Sequence, residues 1–416
     1  MDTLKEIKGF HNQILTIDLD NQSFSISDLS QIPLEKTLGG KGLGSHLLLE
    51  NNPQGCDPLS PENQLIIATG PITESPVHGG CRYGVFTKSP QTGLYSESYS
   101  GGAAPEAISR TGYDAIVLKG ASKGPIALEI SEKGVLFHDA SDLWGQDTYT
   151  TEDTALERWG TESKGPNKSG AIVIGPAGEK LIRFAVIEND KWRSAGRTGV
   201  GTVMGSKKVK AMVFNGSKKR EFADPDGLKA FVKESTQRIR EAPIFGNYKK
   251  LGTPMLVDLL NEAGAFPTRY WSKGQSKFRD KINAPAMQEI MDVKPHACRH
   301  CPVACGKLST IKKGPHKGLT IEGPEYEPIF AFGGLCEIGS IEEITYLNDL
   351  CDRLGMDTIS AGNLCGFVME ACERGKIDEK ISYGDANATA ELLEKIASRQ
   401  GIGDILANGI VETAKA

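Results

Sequence analysis

The sequence predicts an α+β chain, with a β-rich N-terminal domain over residues 1–215 and a mainly α-helical domain over residues 216–416. Three observations carry this reading. Up to "VKAMVFNG" the chain is a succession of short β-branched runs, each closed by glycine or proline. After "NGSKKREFADPDG" the apolar spacing changes to that of amphipathic helices. With 416 residues, the chain is long enough to bury more than one core.

In chain order, "QILTIDLD", "QLIIATG", "DAIVLKG", "PIALEI", "AIVIG", "LIRFAVI" and "VKAMVFNG" read as strands. Three of their surroundings recur in the same order: "LIIATGP" as "AIVIGP", "RYGVFTKS" as "RTGVGTVMGSK", and "AIVLKGAS" as "AMVFNGSK". Drifting spacings within a kept order are what variable loops produce, so two related β-halves, a pseudo-two-fold β-sheet domain, are one reading, and chance likeness among Gly-rich strands is the other. Beyond it, Asp224 and Pro225 open "GLKAFVKESTQRIREA", and Thr253 and Pro254 open "MLVDLLNEAG". Ser340 with Glu343 forms a capping box ahead of "EITYLNDLCDRLG", on which Ile341, Ile344, Leu347, Leu350 and Leu354 share one face.

Composition narrows the function. No apolar run approaches the roughly 18 residues that a membrane span needs, and the N-terminus lacks a basic stretch followed by an apolar one, so a cytoplasmic chain is expected. A net charge of −5 without a block of Lys and Arg argues against nucleic acid as a partner. Nine cysteines with one tight cluster point to metal or redox chemistry, because disulfide scaffolds are short and evenly rich in cysteine.

That cluster is "HACRHCPVACGK", where Cys298, Cys301 and Cys305 are spaced to converge on an iron–sulfur cube or a tetrahedral zinc. The third thiol favours a [4Fe-4S] cluster; His296 and His300 are the only other local ligands. Cys351, Cys365 and Cys372 read as core packing, and Cys56, Cys81 and Cys336 are given no role. In "CDRLGMDT", Gly355 ends one helix and Asp357 caps the next, which a plain helix–turn–helix explains with Asp352 as a surface carboxylate; carboxylates displayed at such a turn could also accept paired hydrogen bonds from an aminopyrimidine. "HGGCRYGVFTKSPQTGLYSESYSGG" and "NDKWRSAGRTGVGTVMGSKK" each join a Gly-rich turn to arginine (Arg82; Arg193 and Arg197), a pairing that suits phosphate. Neither is a Walker loop or a dinucleotide fingerprint. "EGPEYEPIFAFGG" sets Glu322, Glu325 and Glu327 before an apolar segment, where a carboxylate entering an apolar pocket could shuttle protons; Glu322 and Glu325 read equally well as a solvated turn.

Together these motifs, with "DPLSPENQLIIATGP", "YDAIVLKG", "GPAGE" and "GIGDILANG", resemble the aldehyde:ferredoxin oxidoreductase family of tungsten-pterin enzymes along essentially the whole chain. The resemblance implies that the β half is the pterin-cradling base. Arg82 would contact the pterin and link it to the cluster, Arg193 and Arg197 with Gly101 and Gly196 would line its phosphates, and the carbonyls of Tyr99 and Ser194 would hold a magnesium ion. Asp352, Gly355 and Asp357 match the family's D-x-x-G-L-D loop, with Met356 for leucine, and Glu327 matches a glutamate beside the metal. The implied reaction is oxidation of an aldehyde to a carboxylate, with electrons passing through a tungsten- or molybdenum-bis-pterin and the [4Fe-4S] cluster to a ferredoxin-like acceptor.

Two departures qualify it. Where some members carry an E-x-x-H pair that bridges a dimer, this chain has Tyr346 and Asp349. Members also run longer, with a third domain that supplies the fourth cluster cysteine and more of the substrate pocket; that domain is expected to be absent here and the fourth ligand to lie beyond Ala416. The competing expectation is a truncated or split-gene subunit that binds pterin or cluster and depends on a homo-oligomer or a third-domain partner chain. A zinc-stapled binding protein is the third.

Overall fold

The computed structural model describes residues 7–29, 34–161 and 168–416, so the opening residues read for a leader lie partly outside this range. The chain divides into two compact units, Met1–Lys233 with Cys298–His300, and Glu234–Ala297 with Cys301–Ala416. Among the described residues no helix is long and apolar enough to cross a membrane.

Two six-stranded mixed sheets build the first unit. The first contains β1 (Gln13–Asp18), β2 (Ser23–Asp28), β3 (Leu65–Thr69), β4 (Tyr83–Lys88), β5 (Tyr95–Ser100) and β6 (Ala115–Lys119). The second contains β7 (Ile126–Ser131), β8 (Gly134–Asp139), β9 (Gly170–Val173), β10 (Ile187–Asn189), β11 (Arg193–Ala195) and β12 (Val209–Asn215). Their orders are β2-β1-β6-β3-β4-β5 and β8-β7-β12-β9-β10-β11. Advancing every label of the first by six positions in its half gives the second, with the same parallel pair (β1–β6, β7–β12) and antiparallel pairs elsewhere.

The expected duplication is therefore real, but one of its three sequence matches is mispaired. "RYGVFTKS" is β4, whose counterpart is β10, whereas "RTGVGTVMGSK" lies after β11 and corresponds to "SGGAAPEAISR" after β5. Both segments open on Gly-rich turns, and that shared composition hid a shift of one strand.

Alternation along the strands sets the layers. Leu15, Ile17, Leu65 and Ile67 face a central core that they share with Leu128, Ile130 and Phe214 of the second sheet and with two short helices, α2 (Ala104–Arg110) and α4 (Val200–Ser206). Ile66, Ala68 and Phe86 face outward onto Leu43, Leu47 and Leu48 of α1 (Gly40–Asn51). Ala171, Val173 and Val213 likewise cover Ala155 of α3 (Thr148–Trp159). The all-buried runs of β3 and β12 follow from this sandwiching.

The second unit is mainly helical. The predicted starts hold: α5 (Pro225–Glu241), which begins in the first unit, opens after Asp224, whose Oδ1 accepts from the Gly227 amide at 2.8 Å. α6 (Ile341–Leu354) is capped by Ser340 and ends on Gly355 in the left-handed region, and α7 (Thr358–Glu373) is capped by Asp357. A three-stranded antiparallel sheet, β13 (Met291–His296), β14 (Gly306–Ile311) and β15 (Thr320–Glu322), interrupts the helices. The cysteine run is thus a strand-to-strand connection, closed by the pair His296–Gly306. Charged residues and Pro295 in "MDVKPH" mask its strand pattern in the sequence.

Candidate functional site

Register brings the first set of predicted residues together. Tyr83 of β4 pairs with Ser100 of β5, so Arg82 and Gly101 emerge side by side at one sheet end. Cys298 belongs to this same unit. The Arg82 Nη1 donates to the Cys81 carbonyl at 2.9 Å and to the Cys298 Sγ at 3.3 Å. A Cβ on Gly101 would lie 2.1 Å from that nitrogen and 3.4 Å from the sulfur, so only glycine leaves the guanidinium its place. Burial raises the Cys298 pKa, but Arg193, Arg82 and the Gly102 amide outweigh it, and the thiol titrates below its ordinary value.

The second half repeats this turn. Tyr99 and Ser194 each stand two residues before a glycine, Gly101 and Gly196, at the ends of the equivalent strands β5 and β11. A hub joins the two turns, and sequence reasoning missed it. Fully buried Asn189 donates from Nδ2 to the Gly101 carbonyl at 2.9 Å and accepts at Oδ1 from Tyr83 (3.0 Å) and Ser100 (2.8 Å). Next to it, Asp190 Oδ2 accepts from the Ala103 amide at 2.7 Å. Asp190 and Lys191 both adopt positive φ, 50° and 63°, a strained conformation for residues with a Cβ. Glu152 of α3 holds it, accepting from their amides at 2.7 and 2.8 Å. Across the turns, the Arg197 amide donates to the Ser98 Oγ at 3.2 Å, and Ser89 donates to the Thr198 carbonyl at 2.8 Å. Asn189 and Glu152 act through backbone atoms far away in the chain, so no local pattern betrays them.

The second unit carries the rest. Cys301 and Cys305 are half-buried in the β13–β14 connection. Fully buried Lys307 pins that connection, its ammonium donating to the carbonyls of Ala304 (3.1 Å), Cys305 (2.9 Å) and Gly306 (3.1 Å). His296, a candidate extra ligand, has its Nδ1 3.1 Å from the Glu322 carboxylate. All nine cysteines are thiols, and among the described residues no three Cys, His, Asp or Glu side chains are gathered to hold a metal ion.

Asp352 is buried on the last turn of α6, accepting from Asn348 Nδ2 at 2.7 Å. Burial first, and the nearby Asp349 second, push its pKa well above the carboxylate range. Asp357 accepts from the amides of Ile359 (3.1 Å) and Ser360 (3.2 Å), and Gly355 supplies the left-handed link between the two aspartates. Asp349 is ion-paired with Arg353 at 2.7 Å, and Tyr346 stacks on His316 at 4.3 Å.

The acidic turn differs from expectation. Glu327, anticipated in an apolar pocket, is exposed, whereas Glu322, read equally as solvated, is buried. The turn leads straight into a seven-residue π-helix, Ile329–Leu335, whose buried residues anchor it. Ahead of Glu327, burial and the Glu327 charge push the Tyr326 hydroxyl up to about 12.

Residues 14–216 match the model of the aldehyde ferredoxin oxidoreductase N-terminal domain, and residues 230–416 match that of domains 2 and 3 of the same proteins. The chain belongs to the aldehyde ferredoxin oxidoreductase family. Over 415 residues it is 37% identical to the tungsten-containing aldehyde ferredoxin oxidoreductase of Pyrococcus furiosus, covering 98% of this chain and 67% of that one. Its counterpart in Thermococcus kodakarensis is 38% identical over 409 residues, 96% of this chain and 66% of the relative. A second Pyrococcus furiosus protein, an aliphatic sulfonate oxidoreductase WOR-like subunit, is 31% identical over 425 residues, 98% of this chain and 67% of that one. Among solved structures, the active site complex BamBC of benzoyl coenzyme A reductase with 1,5-dienoyl-CoA superposes with a TM-score of 0.83 at 26% identity, over 98% of this chain and 63% of that one. This family member spans about two thirds of the length of the relatives it matches.

Proposed function

We propose that this chain is the pterin- and cluster-binding part of a tungsten- or molybdenum-dependent oxidoreductase that converts an aldehyde to a carboxylate, RCHO + H₂O → RCOO⁻ + 3H⁺ + 2e⁻, with a ferredoxin-like protein taking the electrons. The observation that carries it is the junction of Arg82, Gly101 and Cys298. There a guanidinium touches a cysteine whose pKa lies below the ordinary thiol value, beside a glycine cradle that a Cβ would fill. That donor set fits a sulfur cluster on one side of Arg82 and an anionic or hydrogen-bonding ligand on the other.

In this reading Arg193 and Arg197 bind the pterin phosphates at the turns marked by Gly101 and Gly196, and the carbonyls of Tyr99 and Ser194 serve a magnesium ion. Asp352 and Asp357 orient the pterin by accepting from its ring N–H groups, Asp357 while also capping α7. Cys298, Cys301 and Cys305 are cluster ligands. Glu327 accepts a proton at the substrate, its exposure in this chain leaving it open to an aldehyde or to a further protein segment. When bound, the metal–pterin supplies two-electron redox capacity and Lewis acidity, and the cluster supplies one-electron steps.

A second reading, a subunit that binds these groups only with a partner chain, is favoured by the names of two relatives, a WOR-like subunit and the BamBC complex. Anaerobic purification followed by metal analysis and electron paramagnetic resonance separates the two. The first expects iron together with tungsten or molybdenum on the chain alone, and dye reduction with an aldehyde. Absence of all three metals sinks it and leaves the subunit reading, which predicts uptake once a partner is co-expressed.

A further inference from the structure

We infer that Arg299 and Glu106 form a latch that positions Cys298. Arg299, the neighbour of Cys298 in the cysteine run, forms an ion pair with Glu106 of α2, both in the first unit. An exposed arginine would ordinarily gain little from a surface carboxylate. This carboxylate is only 3% exposed, and it sits in a buried run of charges.

Arg110 contacts Glu106 at 2.8 Å and Glu74 at 2.9 Å. Ser109 donates to Glu74 at 2.8 Å and accepts from Arg220 at 2.9 Å, and Arg220 contacts Asp114 at 2.7 Å. Along that run the buried members are three carboxylates and two guanidiniums. Arg299 supplies the third positive charge, so its contact offsets a buried negative charge that water cannot reach.

The turn ahead of this helix lies against Cys298: a Cβ on Gly101 would stand 3.4 Å from its sulfur, and the Gly102 carbonyl accepts from the Cys81 thiol at 3.0 Å. Gly101 and Glu106 thus meet adjacent residues of the cysteine run, Cys298 at its sulfur and Arg299 at its side chain. His300, with φ 59°, then turns the backbone away. The latch fixes Cys298 beside the Arg82 guanidinium and the Gly101 turn. Its meaning for a cluster rests on the function proposed above, but its existence does not.

The test uses the full chain, metal-free and anaerobic. Hydrogen–deuterium exchange is followed over residues 297–302, and Cys298 alkylation by iodoacetamide is compared with that of Cys301. Arg299→Ala is expected to speed exchange at 298–300 and to change the Cys298:Cys301 labelling ratio, each by roughly tenfold. Arg299→Lys should restore most of both. Glu106→Gln, checked by near-UV circular dichroism for a native fold, should do as Arg299→Ala does, and the double variant should add nothing further. Exchange and labelling in Arg299→Ala equal to the parent chain, or fully additive effects in the double variant, would overturn the latch. Reconstitution with ferrous iron and sulfide is scored separately. The latch predicts lower iron uptake in Arg299→Ala, recovered in Arg299→Lys; if the parent chain takes up no iron, the cluster reading fails while the exchange data still decide the latch.

Discussion

At the scale of single residues, the site turns on atoms that are absent as much as on those present. Gly101→Ala puts a methyl group 2.1 Å from Arg82 Nη1, so the guanidinium must leave the Cys298 sulfur. The expected outcome is a roughly tenfold loss of iron and of tungsten or molybdenum from anaerobically purified chain, with the melting curve little changed, because what the methyl group displaces is the far end of a flexible side chain. Unchanged metal content would remove Arg82 from the proposal. Tyr99 gives the opposite test. Its ring lies edge-on to Phe86 at 6.0 Å and its hydroxyl donates to Glu97 at 3.1 Å. If Tyr99 serves through its carbonyl, Tyr99→Asn leaves magnesium content as it was; a several-fold loss would mean that the side chain matters.

Elements, rather than residues, aim the arginines. The β10–β11 hairpin carries Arg193, and its two left-handed residues are held by one carboxylate, Glu152. Burial and Asp190 raise that carboxyl to about 7 from 4.5, so the folded chain binds the proton more tightly than the unfolded one. The associated stability is complete below about 4.5 and is lost as pH rises through about 7. Glu152→Gln carries no charge at any pH but keeps one acceptor oxygen for two amides, so it should start less stable than the parent below that window. Relative to the parent it should then gain about 2 kcal/mol in urea unfolding as pH rises through the window; a gap that does not change with pH would refute the assignment. In the second unit, Gly334→Ala forces a methyl group to within 2.1 Å of the Pro267 carbonyl at the π-helix. A loss of about 2–3 kcal/mol is expected in the same measurement, and a neutral result would show that the π-helix can shift.

For the molecule as a whole, what the sequence discloses follows the range of the interaction. The Gly-rich turn at Arg82 and the Gly355-to-Asp357 link between two helices were legible as local structure because each is a short-range pattern, whereas Gly101 was singled out only through the family resemblance. The strands and the duplication were legible from period and order, although the β4 match slipped by one strand. Asn189, Glu152 and Glu106 were not, because a buried polar residue and a solvated one look alike until the fold brings its distant partners. His11 is another such residue, and its titration opposes that of Glu152. It lies 3.3 Å from Ser109 in the network where Arg220 ties the Gly9 carbonyl, Thr69 and Asp114 together, joining the start of the first unit to its end. Burial first, then Arg220, lower its pKa from 6.5 to about 4, so the unfolded chain binds the proton more tightly. Stability is therefore lost as pH falls from about 6.5 to about 4, while Glu152 withdraws stability as pH climbs from 4.5 to about 7. The two windows overlap with opposite slopes, so in the parent chain they largely cancel between about 4.5 and 6.5. Replacing His11 by asparagine should uncover the Glu152 slope, a fall of about 2 kcal/mol as pH rises. Glu152→Gln should uncover the His11 slope, a rise of similar size, and the double variant should be nearly flat. Chemical unfolding of the four chains across that pH range decides it: a His11 variant whose profile follows the parent's would place the acid lability elsewhere in the charge network.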